Sequence, residues 1–119
     1  MRWARALATA LVGGSLIFAT PAQAEADART FLARIDSGDS LYLLTLNGYA
    51  NGLSWANTYL DEVGQPKLYC APTRLAITAE QNADILRRYV ADVPEAATAP
   101  AGLALLLAYR ATFPCPAPR

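Results

Sequence analysis

The first 24 residues constrain the fold more than any other feature, because they have the pattern of a secretory signal peptide. A short basic segment with Arg2 and Arg5 precedes an apolar run over residues 6–18, and Pro21 and a small-x-small sequence at 22–24 follow it. The rival interpretation is a membrane anchor, but a span needs about 20 apolar residues, more than this run has. We therefore expect cleavage after residue 24, export to a bacterial periplasm, and folding of residues 25–119 alone.

The exported part is expected to be one small, weakly acidic domain. The signal segment holds two of the ten basic residues and none of the ten acidic ones, so residues 25–119 carry a formal charge of −2 (8 − 10). Nucleic-acid binding usually needs a strongly basic patch, so this balance argues against a nucleic-acid partner. No later stretch is long enough to span a membrane; the most apolar one, 101–108, is far too short.

The exported part contains two cysteines, Cys70 and Cys115. An even number of cysteines in an exported protein favours an intramolecular disulfide, with a free thiol or an intermolecular bridge as the alternatives. Closing the loop between Cys70 and Cys115 stabilises the fold by roughly 4 kcal/mol in the chain-entropy model. We expect this bond to carry a large share of the net stability of so small a domain.

Apolar periodicity predicts an all-α fold of four to five helices with one disulfide. Phe31, Leu32 and Ile35 form one stripe of the first helix, and Thr78 followed by Gln81 is a capping box that begins the third. No segment has a convincing strand pattern, and residues 92–99 are predicted to form a polar turn. The predicted helices cover residues 27–35, 41–62, 79–91 and 100–112.

The second predicted helix has apolar and small residues at spacings of three and four, which predicts a core-facing stripe. Its members are Leu41, Leu44, Gly48, Tyr49, Gly52, Trp55, Ala56 and Tyr59. Because Gly48 and Gly52 share a face, we expect another helix to pack closely against them and Tyr49. The alternative interpretation is a turn at Asn47-Gly48 or at Asn51-Gly52. The same reasoning predicts Leu103, Leu106 and Leu107 as the core-facing stripe of the fourth helix.

The residues offer little for catalysis. The absence of histidine excludes Ser-His and Cys-His catalysis and every His-ligated metal site. Carboxylates are the remaining candidates for acid–base catalysis, but the adjacent Asp61 and Glu62 point in different directions on a helix. Solvated surface charge is the simpler interpretation of these carboxylates. No phosphate-binding glycine loop or metal-ligand cluster is present in the sequence. We therefore predict a protein that is not an enzyme and binds no cofactor or metal.

The order of several short motifs resembles the Rap/Tai immunity-protein family of bacterial type VI secretion. No single motif is specific to this family, but the order and spacing of the motifs over residues 41–115 are specific. They are Gly48-Tyr49 with Gly52, Cys70-Ala71-Pro72, Gln81 at the start of a helix, Pro94-Glu95 after that helix, and the terminal Phe113-Pro114-Cys115.

The resemblance implies an all-helical periplasmic protein, often a homodimer, that binds secreted peptidoglycan amidase effectors. Inhibition in that family is by occlusion of the effector's catalytic cleft, which requires no chemistry from the immunity protein. The family pattern matches Cys70 with Cys115. This chain departs from the pattern at Leu46, where family members often carry a further cysteine, and we expect Leu46 to pack where that disulfide would sit.

The contact surface for an amidase is expected in an exposed inter-helix loop. One candidate is the acidic turn at 92–99, with Asp92 and Glu95 as partner-binding residues; the other is the segment 63–67, which leads towards Cys70. The alternative function is a structural or acid-stress chaperone-like role in the cell envelope. Such a protein would sense acid through its carboxylates, since it has no histidine.

Overall fold

The computed structural model describes residues 25–117, which form an all-α domain. The predicted signal segment lies outside the described residues. Within residues 25–117 no strand forms, and the only β-type pairing is an isolated bridge between Asp27 and Pro100. The predicted fold class is therefore confirmed. The elements are α1 (Ala28–Asp36), α2 (Ser40–Glu62), α3 (Ala79–Asp92), a short 3-10 helix (Pro94–Thr98) and α4 (Ala101–Thr112).

The first two helices begin at aspartate caps. The Asp27 carboxylate accepts a hydrogen bond of 2.8 Å from the backbone N–H of Thr30, and this bond lowers the pKa of Asp27 below its ordinary value. Between α1 and α2, Gly38 has a φ of 87°, a conformation that favours glycine. The Asp39 carboxylate then accepts a bond of 3.1 Å from the backbone N–H of Leu41. Local sequence thus sets a sharp reversal between α1 and α2.

Helix α2 continues without a break through both Asn-Gly pairs, so the predicted helix is confirmed and the rival turn is wrong. The capping box predicted for α3 is also present. The Thr78 hydroxyl accepts from the backbone N–H of Gln81 at 3.1 Å, and the Gln81 side chain accepts from the Thr78 N–H at 2.9 Å. These two bonds satisfy donors that a helix start otherwise leaves unpaired.

Helices α1, α2 and α3 all pack against α4. Its buried face is rich in alanine, which allows the other helices to approach closely. The predicted core stripe of α4 is wrong, since Leu103 is 48% exposed and Leu106 and Leu107 are only partly buried. The residues of α4 that point into the core are instead Ala101, Ala104, Leu105, Ala108 and Tyr109.

The residues before α1 pair with the chain that leads into α4. The Ala28 N–H donates to the Ala99 carbonyl at 3.0 Å, and the Ala101 N–H donates to the Ala26 carbonyl at 3.2 Å. The Glu25 carboxylate accepts from the Gly102 N–H at 2.8 Å, at the amino end of α4. A carboxylate at this end is also favoured by the helix dipole.

The acidic turn predicted for residues 92–99 folds into the 3-10 helix. Its two central alanines, Ala96 and Ala97, are buried, so the segment is part of the packed fold as well as a connection. In the part of the chain that the structure describes, no helix combines the length and the apolar character needed to cross a bilayer.

Candidate protein-interaction surface

A row of exposed apolar side chains follows one face of α2 and ends at Val63, the residue that caps this helix. We call it the outer stripe and define it as five large side chains. Their exposed fractions are 67% for Leu41, 64% for Leu44, 74% for Trp55, 63% for Tyr59 and 48% for Val63. The sequence predicted that four of these residues, Leu41, Leu44, Trp55 and Tyr59, face the core, and their exposure shows that prediction to be wrong. Side chains this apolar and this exposed, in a row along one helix, are typical of an interaction surface.

Gly48 and Gly52 lie in the middle of the outer stripe, and both are exposed. A Cβ atom added at either glycine would meet no heavy atom within 4 Å. The expectation that another helix packs against them is therefore wrong for the helices of the described domain. Tyr49 points to the side of the stripe, where its ring lies 5.7 Å from that of Phe31 between centroids. Burial and a hydrogen bond with Glu25 raise its pKa above the ordinary value.

The opposite face of α2 packs into the core through smaller side chains. Leu46 is fully buried and Ala50 is 6% exposed. Leu46, the position at which the sequence departs from the Rap/Tai pattern, is thus one of the largest fully buried side chains. Leu43 and Leu53 are packed against the same core. Helix α2 therefore has two apolar faces, of which the domain itself uses one.

A buried polar network joins α2, α3 and α4. The Asn82 side chain is 1% exposed. Its amide nitrogen donates to the Asn47 side-chain oxygen at 3.2 Å, and its oxygen accepts from the Tyr109 hydroxyl. Over residues 25–117, no buried side-chain nitrogen or oxygen lacks a hydrogen-bond partner. Such a network stabilises one arrangement of the three helices, because breaking any member leaves a buried polar group unpaired.

A second side-chain amide, that of Asn57, fixes the connector between α2 and α3 (residues 63–78). Its nitrogen donates to the Tyr69 carbonyl at 2.7 Å, and its oxygen accepts from the Leu68 N–H at 2.7 Å. The Asn57 side chain therefore makes two hydrogen bonds to the connector backbone, which contains no strand that could pair with a neighbour. Sequence reasoning identified neither Asn57 nor Asn82, because an isolated asparagine has no periodic signal.

The disulfide fixes the connector at a second point. Cys70 and Cys115 are bonded, with Cα atoms 4.8 Å apart, so the predicted intramolecular pairing is confirmed. The Cys70 N–H also donates to the Phe113 carbonyl at 2.8 Å. The connector is therefore held to α2 on one side and to the segment after α4 on the other. An irregular segment held in this way loses little conformational freedom when it binds a partner.

A polar cleft of about 410 Å³ lies between α2 and the connector. Its walls include Asn51, Ser54 and Thr58 from α2, and Thr73 from the connector. Asp61 and Lys67 also line it, with Oδ2 and Nζ 3.5 Å apart and both side chains open to solvent. An exposed pair of this kind contributes little to stability. The cleft can therefore offer hydroxyl, amide and charged groups to a partner.

Two tyrosines lie between the cleft and the core. The rings of Tyr69 and Tyr109 are 4.9 Å apart between centroids. Burial raises the pKa of both phenols above the ordinary value, and a hydrogen bond with Ser54 partly offsets the effect for Tyr69. Both phenols therefore remain neutral at physiological pH.

Asp92 and Glu95, the partner-binding residues expected from the sequence, lie at the other end of α3. Both are exposed, Asp92 at the end of α3 and Glu95 in the 3-10 helix. Ten residues of helix separate Asp92 from Asn82 beside the cleft, about 15 Å along the axis. The structure therefore does not bring these carboxylates together with the cleft. In the described chain, no group of three Cys, Asp or Glu side chains is placed to hold a metal ion.

These features define a small, disulfide-bonded helical domain with an exposed apolar helix face and a polar cleft. The sequence model of the Rap1a immunity proteins matches residues 22–115, and the chain belongs to that family. A search of curated proteins found no match. A search of solved structures found none either.

Proposed function

We propose that this protein is a periplasmic immunity protein of type VI secretion, which binds a peptidoglycan amidase effector and occludes its catalytic cleft. The observation that carries the proposal is the match to the Rap1a immunity proteins over residues 22–115, which covers the whole packed domain. The target class, a secreted cell-wall amidase, comes from the Rap/Tai resemblance. Occlusion is a binding function, so the protein needs neither a catalytic group nor a cofactor.

Export is part of the same proposal. We place signal cleavage after residue 24, so that the mature chain begins at Glu25. Support comes from the position of Glu25, whose side chain already bonds to Gly102 at the start of α4. The disulfide also fits an oxidising compartment, where such bonds form and persist.

We place the main effector contact at the cleft and the connector. Two observations favour this surface over the turn after α3. The connector is held rigidly by Asn57 and by the disulfide, and Lys67 and Asp61 provide charges of both signs at the cleft. Asp92 and Glu95 are a secondary candidate, because a contact surface normally has an aromatic or arginine anchor at its centre and that turn has none.

The function can be tested by protection in living cells. Each secreted cell-wall amidase from the source organism and its competitors is directed to the periplasm of a host, with and without this protein. We expect lysis by one amidase to be prevented by the exported protein. The control is residues 25–119 without the signal segment, which should remain in the cytoplasm and give no protection. Absence of protection against every amidase would overturn the proposal.

The contact surface can be mapped in the same assay. Lys67→Glu, combined with Thr73→Arg, changes the charge and shape of the cleft at exposed positions and should abolish protection. The matched variant Asp92→Lys with Glu95→Lys alters two exposed positions at the other end of α3. Loss of protection in this second variant alone would move the main contact to the turn after α3.

A further inference from the structure

The cleft between α2 and the connector extends along the axis of the helix. Its α2 wall begins at Ala50 and ends at Asp61. Over these positions (61 − 50 = 11 residues) the helix rises about 16 Å, which is the length of about five residues of extended chain. The volume of about 410 Å³ lies within the usual range of ligand sites. The cleft therefore has the dimensions of a site for a short, extended peptide.

A row of neutral polar side chains lines the α2 wall of the cleft. Asn51, Ser54 and Thr58 follow one another at spacings of three and four residues, so they lie on one side of the helix. The Thr58 hydroxyl donates to the Ser54 carbonyl at 3.0 Å, and its oxygen can still accept a hydrogen bond from a ligand. The Asn51 amide can both donate and accept. The row is therefore suited to the N–H and carbonyl groups of a peptide backbone.

One end of the cleft contains a charge of each sign. Lys67 Nζ lies 3.5 Å from Asp61 Oδ2, and the two side chains are 36% and 65% exposed. Because an exposed ion pair of this kind contributes little to stability, both groups can exchange each other for a ligand at low cost. Lys67 is also the only lysine in the sequence.

The position of Asp61 favours a cationic ligand group beside it. Asp61 lies in the last turn of α2, and that turn contains no basic residue. The carboxyl end of a helix dipole disfavours an anion and favours a cation. An ammonium group bound next to Asp61 would therefore interact favourably with both the carboxylate and the end of the helix.

The two charges together select the kind of peptide. A ligand with an ammonium and a carboxylate on the same carbon presents both charges at once, one to Asp61 and the other to Lys67. A loop in the interior of a folded protein has no such group. The connector wall of the cleft is already fixed, by Asn57 on one side and by the disulfide on the other. Binding therefore requires little ordering of the protein.

We propose that the cleft binds a short zwitterionic peptide, with its carboxylate at Lys67, its ammonium at Asp61 and its backbone along Asn51, Ser54 and Thr58. Stem peptides of the bacterial cell wall that contain a diamino acid with a free ammonium and carboxylate belong to this class. The effector contact is proposed for the same cleft, but the peptide proposal does not depend on it. The two are tested with different ligands, so that either can fail alone.

The first test is a titration of the mature, oxidised protein with a stem tripeptide that ends in diaminopimelate, followed by NMR. Because the chain has a single lysine, reductive methylation with labelled formaldehyde marks only Lys67 and the amino terminus and preserves their charge. We expect the Lys67 methyl signal and the Asn51 and Thr58 amide signals to shift together, with a dissociation constant below about 1 mM. The same peptide with blocked amino and carboxyl groups should bind roughly tenfold more weakly.

The second test removes each charge of the protein in turn. Lys67→Gln and Asp61→Asn should each raise the dissociation constant of the tripeptide by about fivefold to tenfold. The matched controls, Arg29→Gln and Asp92→Asn, neutralise exposed charges outside the cleft and should leave it unchanged. Circular dichroism should show the same helix content in all five proteins.

Three results would overturn the proposal. The first is the absence of any shift in the Lys67 methyl signal at about 10 mM tripeptide, a concentration that detects even weak binding. The second is equal affinity for the free and the blocked peptide, which would remove the role of the charge pair. The third is an unchanged dissociation constant in Lys67→Gln and Asp61→Asn.

Discussion

Helices α2 and α3 both pack one face against α4, but their outer faces differ. The outer face of α3 is charged, and Arg87 bridges Asp84 within the helix and Asp36 of α1, at 2.5 and 2.6 Å. The outer face of α2 presents the five large apolar side chains of the outer stripe. Since exposed ion pairs add little stability, the charges of α3 mainly keep that face in water.

The comparison separates two requirements on a helix in a small domain. The inner face must fill the core, and the two helices meet this requirement in similar ways, with Leu46 on α2 and Leu86 on α3 fully buried. The outer face must suit whatever lies beyond the domain. For α3 this is solvent, whereas the outer face of α2 has the exposed apolar side chains that are typical of a contact surface. The predictions below test this difference, beginning with the largest expected effect.

The two faces of α2 should respond in opposite ways to truncation. Leu46→Ala removes a fully buried side chain and should lower the free energy of unfolding by about 2–5 kcal/mol. Leu44→Ala removes a side chain that is 64% exposed and should change it by less than about 0.5 kcal/mol in the monomer. Urea unfolding followed by circular dichroism measures both. Equal losses would mean that the outer stripe is buried within the monomer.

The connector covers the carboxyl half of α2, and the disulfide should be the main covalent contribution to that arrangement. Replacing both cysteines, Cys70→Ser with Cys115→Ser, should lower the free energy of unfolding by about 2–4 kcal/mol. Reducing agent should have the same effect on the wild type and none on the variant. A reduced wild type as stable as the oxidised protein would show that Asn57 alone is enough to hold the connector.

Alkaline pH should weaken the contact between the connector and α4 that the two buried tyrosines, Tyr69 and Tyr109, make. The pKa values of Tyr69 and Tyr109 are raised in the folded state. Their contribution to the stability of the fold is therefore complete below the tyrosine pKa of the unfolded chain, about 10, and is lost as the pH rises above that value. Each phenol should lower the free energy of unfolding by at most about 1.4 kcal/mol per pH unit in that range. Chemical unfolding between pH 9 and 11 measures the slope, which Tyr69→Phe should make shallower.

The smallest predicted effect is at the two stripe glycines. Gly48→Ala and Gly52→Ala should each stabilise the monomer by about 0.5–1 kcal/mol, because alanine favours the helix and each added Cβ meets open space. The control is Gly102→Ala in α4, where the Cβ would lie 3.3 Å from a Glu25 carboxylate oxygen and the gain should be smaller. A loss of stability in Gly48→Ala or Gly52→Ala, measured by urea unfolding, would show that the space beside the glycine is not open.

Local signals predicted the helices well. The capping box of Thr78 and Gln81 and the stripe of Phe31 and Leu32 depend on neighbours in sequence, and the structure has both. The disulfide could be predicted because only one pair of cysteines is available.

The orientation of α2 could not be predicted, because periodicity shows that a helix has an apolar face without showing what covers it. The sequence pattern favoured the face with Leu44 and Trp55 as the buried one. In the structure the face with Leu46 and Ala50 is buried instead. The asparagines that join the helices depend on contacts between distant segments; Asn82 and Asn47 are 35 residues apart, and no local pattern indicates such a pair.

The central claim is that this domain acts by binding and occluding a cell-wall amidase, and a titration tests it most directly. The purified, oxidised protein is added to the amidase against which it protects cells, and release of cell-wall fragments is measured. The account predicts a linear loss of activity that reaches zero at one chain per amidase, and the same end point for Leu103→Glu, a change at an exposed leucine of α4. Full amidase activity at a tenfold excess of the protein would contradict it.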